Sequence, residues 1–296
     1  MQNDKTINSY LHLHLIVFIW GFTAVLGKLI SLQALDLVWF RMLFAIFFMA
    51  VYIFYKKESL KIPPKIFVGF MVAGIVIAAH WFTFYEAIKV SNISITLACL
   101  STGAFFASIL EPIFYKRKII WYELFFGIIV IAGLLIIFNV ETQYKTGIIL
   151  AVISAFLSAL FSVINGKFAK IYNPNVISFY ELGGGLFFLT LYLVLSQKLT
   201  HEFLTISTND FLWLLILSSI CTAYAFSASV KVMKYLSPYT VMLTINMEPI
   251  YGIILALLIF NDKEKMSPQF YLGALIILAT VILNGILKNR KTKNPS

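Results

Sequence analysis

From position 11 onward the chain alternates long apolar stretches with brief polar breaks. The stretches fall at 11–32, 35–55, 65–88, 93–115 and 120–138, then at 146–168, 175–197, 210–233, 238–260 and 268–288. Each is close to the ~20 residues that a helix needs to cross a hydrocarbon core of about 30 Å. The pattern predicts ten transmembrane helices. No stretch alternates polar and apolar positions over about ten residues, so the strands of a membrane barrel are excluded. The breaks at 33–34 and 116–119 are so short that the helices they join must be antiparallel neighbours.

Composition agrees. The 296 residues are 60% hydrophobic and 12% charged, with mean hydropathy +0.90. A soluble domain is about 45–50% apolar and about 25% charged, so the chain is an all-α polytopic membrane protein. The net charge of +10 does not point to nucleic acid, because the cations gather in loops on one side. That side holds about 16 of the 23 Lys and Arg, from Lys5 through Lys56, Lys57, Lys116, Arg117, Lys167 and Lys231 to the tail cations. The other side holds Lys28, Arg41, Lys89, Lys145, Lys198, Lys263 and Lys265. The richer side reads as cytoplasmic, which puts both short tails, 1–10 and 289–296, inside a cell membrane. Trp39, Trp121 and Trp213 fall near span ends, as an interfacial belt requires. The first apolar run is too long for a signal-peptide core and reads as a retained helix. Cys99 and Cys221 lie inside apolar runs with no CxxC or Cys/His spacing, so they read as packing residues, with no metal site or disulfide framework.

The two halves resemble each other. 26-LGKL-29 reads against 165-NGKF-168, 36-DLVWF-40 against 175-NVISF-179, and 87-AIKVSNIS-94 against 232-VMKYLSPY-239. Gly127 reads against Gly273. A duplication with units at 11–138 and 146–288 follows. With an odd number of spans per unit, the second copy enters the membrane inverted. Inverted repeats are the plan of many secondary transporters, whose site lies at the repeat interface near the midplane.

These features resemble the EamA-type family of the drug/metabolite transporter superfamily. The five-plus-five plan, 20-WG-21, 40-FRMLFA-45, 87-AIKVSNIS-94 and the proline in the ninth helix carry the resemblance over about residues 11–288. It implies export or exchange of small metabolites, amino acids prominent among them, by alternating access and without covalent chemistry. One departure concerns the proline. The first half has Ala104 where the second has Pro249, and its own Pro112 comes two turns later, so a symmetric pair of proline breaks is not expected.

The candidate site begins with 244-TINMEPIYGI-253. A charge near the bilayer centre costs about 2.5–3.5 kcal/mol on insertion scales, so Glu248 must be compensated or used. Pro249 cannot donate to the carbonyl of Ile245, and a freed carbonyl is tolerated only inside protein or along a water-lined cavity. Glu248 thus reads either as a substrate-amine or proton site, or as a structural carboxylate bonded to a neighbouring helix. Asn246 and Tyr251 add polar groups nearby. Glu181, in 179-FYELGGG-185, is a further cavity candidate, with glycines that let another backbone approach or let the helix bend. His80 reads as a proton-coupling group or a hydrogen-bonded structural histidine. Trp20, Trp81 and Tyr85 would suit an aromatic wall able to hold an amine by cation–π contact. Arg41 and Glu86 lie at similar predicted depth and can pair, as an external gate or a static ion pair. Glu111, beside Pro112 and the 116-KRK-118 loop, reads as a partner of that loop or as a cytoplasmic gate.

The leading expectation is a secondary transporter for a small amphipathic solute, with the solute and the lipid bilayer as partners and protons as a candidate coupling ion. No GxxxxGK[ST] occurs, so no nucleotide cofactor is implied and energy comes from a gradient or transport is passive. A membrane-embedded enzyme is the alternative, although HExxH and GxSxG are absent; a non-transporting scaffold is another.

Overall fold

The computed structural model describes residues 2–118 and 121–293. The predicted tail residues 294–296 lie outside them, as do the side chains of Lys5, Trp121, Lys263 and the cations from Lys288 onward. Among the described residues the chain is helical and contains no strand.

The first three helices are α1 (Gln2–Leu29), α2 (Ala34–Lys56) and α3 (Pro64–Val90). The fourth apolar stretch is divided into α4 (Ile93–Leu100) and α5 (Gly103–Tyr115), followed by α6 (Trp121–Val140). The second half runs through α7 (Lys145–Phe168), α8 (Pro174–Leu195) and a short α9 (His201–Leu204). Then α10 (Thr208–Ser218) continues through a π-helical segment, Ser219–Tyr224, into α11 (Ala225–Val232). The stretch at 238–260 is divided into α12 (Pro238–Ile245) and α13 (Glu248–Phe260), and α14 (Pro268–Lys293) closes the chain. Among the described residues, eight segments, from Thr6–Leu29 to Pro238–Phe260, are long and apolar enough to cross a membrane. The apolar parts of α6 and α14, Phe125–Val140 and Pro268–Asn284, are shorter.

The two divided stretches have the same proportions. Each is an eight-residue helix, a two-residue step and a thirteen-residue helix. Each begins at a side-chain cap. Asn92 Oδ1 accepts from the Ile95 amide at 2.9 Å, and Ser237 Oγ from the Thr240 amide at 3.2 Å. The break is therefore present in both halves, but a proline accompanies only one. Pro249 stands in the first turn of α13, where its missing N–H costs nothing. In the first half, Ser101 and Thr102 turn their hydroxyls back onto the carbonyls of Leu97 and Cys99, at 3.3 and 2.7 Å, which competes with the helical ladder. Pro112, expected from the sequence as a helix break, instead lies inside α5, three residues from its end.

Loops gather at two opposite ends of the bundle. At one end Asn175 donates to Glu58, Tyr180 to the Leu60 carbonyl, and Tyr115 to the Val163 carbonyl. At the other, Ser31 bonds Asp210, Lys89 reaches the Ile30 carbonyl, and Ser267 donates to Glu141. The first end carries the lysine-rich connections. Large apolar side chains such as Phe54 and Leu258 point outward, at 73% and 71% exposure, as lipid-facing positions do.

The helices α3 and α8 cross at glycines. A Cβ on Gly74 would lie 2.2 Å from the Glu181 carbonyl oxygen, and one on Gly185 would lie 2.8 Å from the Gly74 oxygen. The backbones touch there, as the 183–185 glycine run implied, although Gly183 itself faces open space. Similarly α6 and α14 meet at Gly133 and Gly273, each with its would-be Cβ 2.9 Å from the other's carbonyl oxygen. Gly127, read as the repeat equivalent of Gly273, packs under Phe105.

Candidate functional site

The last residues of the two short half-helices, Leu100 of α4 and Ile245 of α12, line the same cavity. It holds about 60 Å³ and is walled by α1, α2, α3, α4, α7, α11, α12 and the first residue of α13. Its aromatic surface comes from Trp20, Trp81, Phe84, Phe161 and Phe226. Its polar groups are Glu248, Arg41, His80, Thr23 and the hydroxyls of Ser158, Ser162 and Ser229. Glu248 is the first residue of α13, ahead of Pro249, and so stands at the positive end of a helix that begins inside the membrane-spanning region.

The sequence allows Arg41 to pair with Glu86, as an external gate or a static ion pair. The structure corrects this. Arg41 is 3% exposed and inside the bundle. Its Nε donates to Thr222 Oγ1 at 2.7 Å and its Nη1 to Tyr85 Oη at 2.8 Å, while the guanidinium lies 3.7 Å over the Trp81 ring. Glu86 lies elsewhere, on a lipid-side groove with Lys198. An arginine sits inside a membrane protein only when its donors are met and its plane is packed, and these three partners do both. The remaining N–H groups of Arg41 are left for the cavity. Across it stands the carboxylate of Glu248, 5% exposed, with no direct ion pair between the two.

Thr222 was not anticipated. It belongs to the π-helical segment, where its hydroxyl accepts from Arg41 and donates to the Leu217 carbonyl at 2.7 Å. The extra residue of a π turn also frees the Cys221 carbonyl, which accepts from Trp20 Nε1 at 3.1 Å. Two cavity residues, Arg41 and Trp20, are therefore positioned by one irregular turn. The only sequence trace is the run of small and hydroxyl residues around 218–223.

The other candidates divide. His80 lines the cavity, and its Nδ1 donates to the Ser154 carbonyl at 2.9 Å while Ser154 Oγ donates to the His80 carbonyl. This bond fixes the ring and leaves Nε2 as the free nitrogen. Tyr85 is fully buried behind Arg41 and does not line the cavity. Asn246 is buried at the α12–α13 step, and Tyr251 packs edge-on against Phe18 with centroids 5.4 Å apart. Glu181 is fully buried on α8, away from the cavity lining. Glu111 lies at the lysine-rich end, where its Oε2 accepts from the Tyr239 amide at 3.0 Å, within the first turn of α12. Arg117 lies 3.4 Å from its other oxygen.

The opposite end holds a counterpart. Glu264, fully buried, accepts from the amides of Ile93 and Ser94 at 3.2 and 3.0 Å, and so caps α4. Its Oε1 takes a 2.5 Å bond from Lys28 Nζ. Each short half-helix is thus capped by a glutamate from the other half of the chain.

The sequence model of the EamA-like transporter family matches this chain twice, at residues 8–139 and 145–286. An uncharacterized transporter of Archaeoglobus fulgidus is 24% identical over 294 residues, covering 95% of this chain and 98% of the relative. A solved crystal structure superposes with a TM-score of 0.69 at 14% identity, over 96% of this chain and 98% of that one, which speaks to the fold alone. With two tandem family matches spanning almost all of it, the chain belongs to the EamA-like transporter family of the drug/metabolite transporter superfamily, and is a multi-pass membrane transporter.

Proposed function

We propose that the protein exports a small zwitterionic, amphipathic metabolite, of the size and kind of an amino acid, by alternating access of the central cavity. The observation that carries this reading is the pair of opposite charges, Arg41 and Glu248, facing one aromatic-walled cavity without touching each other. A solute with a carboxylate and an amine bridges them. The Arg41 fork takes the carboxylate, Glu248 takes the amine, and Trp20 and Trp81 cover the apolar part. Such a solute brings its own counter-charges, which offsets the desolvation of both protein groups.

The architecture in this reading is ten transmembrane helices in two inverted five-helix units, 11–138 and 146–288, with both termini cytoplasmic. The equal division of the two broken stretches, the matching offset of Leu100 and Ile245, and the reciprocal Gly133–Gly273 contact all support it. The caps supply gates. The Lys28–Glu264 latch closes one end around α4, and Glu111 with Arg117 closes the other around α12. Glu248 is also the candidate proton carrier, since it meets the cavity with no hydrogen bond or direct ion pair to the protein among the described residues and only the charge of Arg41 across the cavity.

Metabolite profiling of medium and cytosol, with and without the protein, selects the solute; flux into reconstituted vesicles then tests it. A selected solute carrying no carboxylate, or no amine, would remove the reading. Substrate-dependent pH change in the vesicles is expected to vanish in Glu248→Gln; undiminished flux with no proton movement in the wild type rejects the coupling.

A further inference from the structure

The crossing of α3 and α8 has a second product. Both helices leave the lysine-rich end and run to the opposite one, touching at Gly74 and Gly185. Past that point a groove lies between them. Into the opening face Ala78, Ala79 and Phe82 from α3 and Phe188 and Leu189 from α8, with the start of α2 behind. The result is a groove of about 510 Å³, apolar along its length and open to the lipid-facing surface. The two small alanines make its depth.

The groove ends in charge. Glu86, Lys198 and Gln33 stand at its mouth, at the end where α3 and α8 finish. Glu86 is twelve residues beyond Gly74 on the same helix, which places it about 18 Å along the axis. Half of a hydrocarbon core is about 15 Å. The stretch from Gly74 to Glu86 is therefore about as long as a single leaflet is deep. Glu86 makes no direct ion pair or hydrogen bond among the described residues and has Lys89 as its charged neighbour, while Lys198 lies 5.7 Å over the Tyr192 ring with Asp36 as its charged neighbour, so the mouth carries both signs.

We propose that this groove is a binding site for one phospholipid with a primary-amine headgroup. The acyl chain lies between α3 and α8. The ammonium donates to Glu86 and the phosphate meets Lys198. A zwitterionic headgroup matches a mouth that carries both signs. An anionic headgroup leaves Glu86 opposed by like charge, and a quaternary ammonium has no N–H to donate. Occupancy wedges α3 of one half against α8 of the other just beyond their contact.

The test uses the full-length protein extracted from membranes in mild detergent, with native mass spectrometry to count retained lipid. Phosphatidylethanolamine, phosphatidylcholine and phosphatidylglycerol are then titrated against the delipidated protein. The expectation is one retained phosphatidylethanolamine, with at least fivefold preference over the other two. Ala79→Phe fills the groove and should abolish retention. Glu86→Gln should keep a bound lipid but erase the headgroup preference. Leu258→Phe, on a lipid-facing position of α13 outside the groove, should change neither. Equal retention of all three headgroups overturns the proposal, as does retention in Ala79→Phe that matches the wild type. Displacement of the lipid by the transported solute overturns it too, and identifies the groove as a lateral entry for solute. None of these readouts depends on transport, so the site stands or falls apart from the proposed export function.

Discussion

Arg41→Lys separates charge from geometry at the cavity. In the wild type Nε is held by Thr222 at 2.7 Å and Nη1 by Tyr85 at 2.8 Å, and the plane rests 3.7 Å over Trp81. The fork is thus fixed before a ligand arrives. Lysine keeps the positive charge but has neither a fork nor a plane. It makes one directed bond to a carboxylate where arginine makes two. A hydrogen bond to a charged group contributes about 1.5–3 kcal/mol, so the solute should bind roughly 10–150-fold more weakly. The loss should be confined to the carboxylate. Binding is therefore measured by calorimetry for the solute and for its decarboxylated analogue, in wild type and variant. The analogue binds the wild type poorly and should lose almost nothing further in Arg41→Lys. Folding should suffer less than binding, because Thr222 keeps its bond to Leu217 and Tyr85 stays packed. A melting curve checks that. If both ligands weaken by the same factor, Arg41 acts on cavity shape alone and its assignment to the carboxylate fails.

Glu264→Ala should unlatch the lysine-poor end. It removes the Lys28 pair and leaves the Ile93 and Ser94 amides without their cap, a change of about 2–4 kcal/mol against the closed state. In a Cys99→Ala background, Cys221 should then react with an impermeant thiol reagent about tenfold faster or more, roughly 1.4 kcal/mol of shifted population or greater; an unchanged rate argues against a gate. Gly74→Ala should destabilise by about 2 kcal/mol or more, since its Cβ meets main chain at 2.2 Å, whereas Gly183→Ala, with open space around it, should be neutral or stabilise by up to about 1 kcal/mol. Thermal melts of the two purified variants should fall on opposite sides of that divide. Pro249→Ala should retain transport within about threefold, because the first half breaks at the matching place without a proline and a first-turn proline supplies no hydrogen bond. Loss of all flux would mean that the ring, and not the step, holds Glu248.

The helices were legible because lipid imposes length and apolarity on every span, and that constraint is local. The glycine contact of α8 and the central place of Glu248 followed from the same logic: small residues admit backbone, and a buried carboxylate marks an interior. Arg41 was misjudged for a reason of the same origin. Its position was taken from depth along one helix, and Glu86 appeared at similar depth on the next. What decides its partner is rotation about the helix axis, set by Thr222 and Trp81 from distant parts of the chain. The π turn that presents Thr222 has no signature in hydrophobic period, since it changes the hydrogen-bond ladder without changing apolarity. The first-half break was missed because proline was treated as its cause, when serine and threonine back-bonding suffices at 101–102.

Both broken stretches end their short halves at the cavity wall, with Leu100 and Ile245 as the terminal residues. Peptide groups at such ends belong to every amino acid alike, so mutation can repaint the side chains around them without dismantling the chamber. A lineage built this way can trade one cargo for another by a few replacements. A chain at 14% identity can then share the shape while differing at most of its side chains.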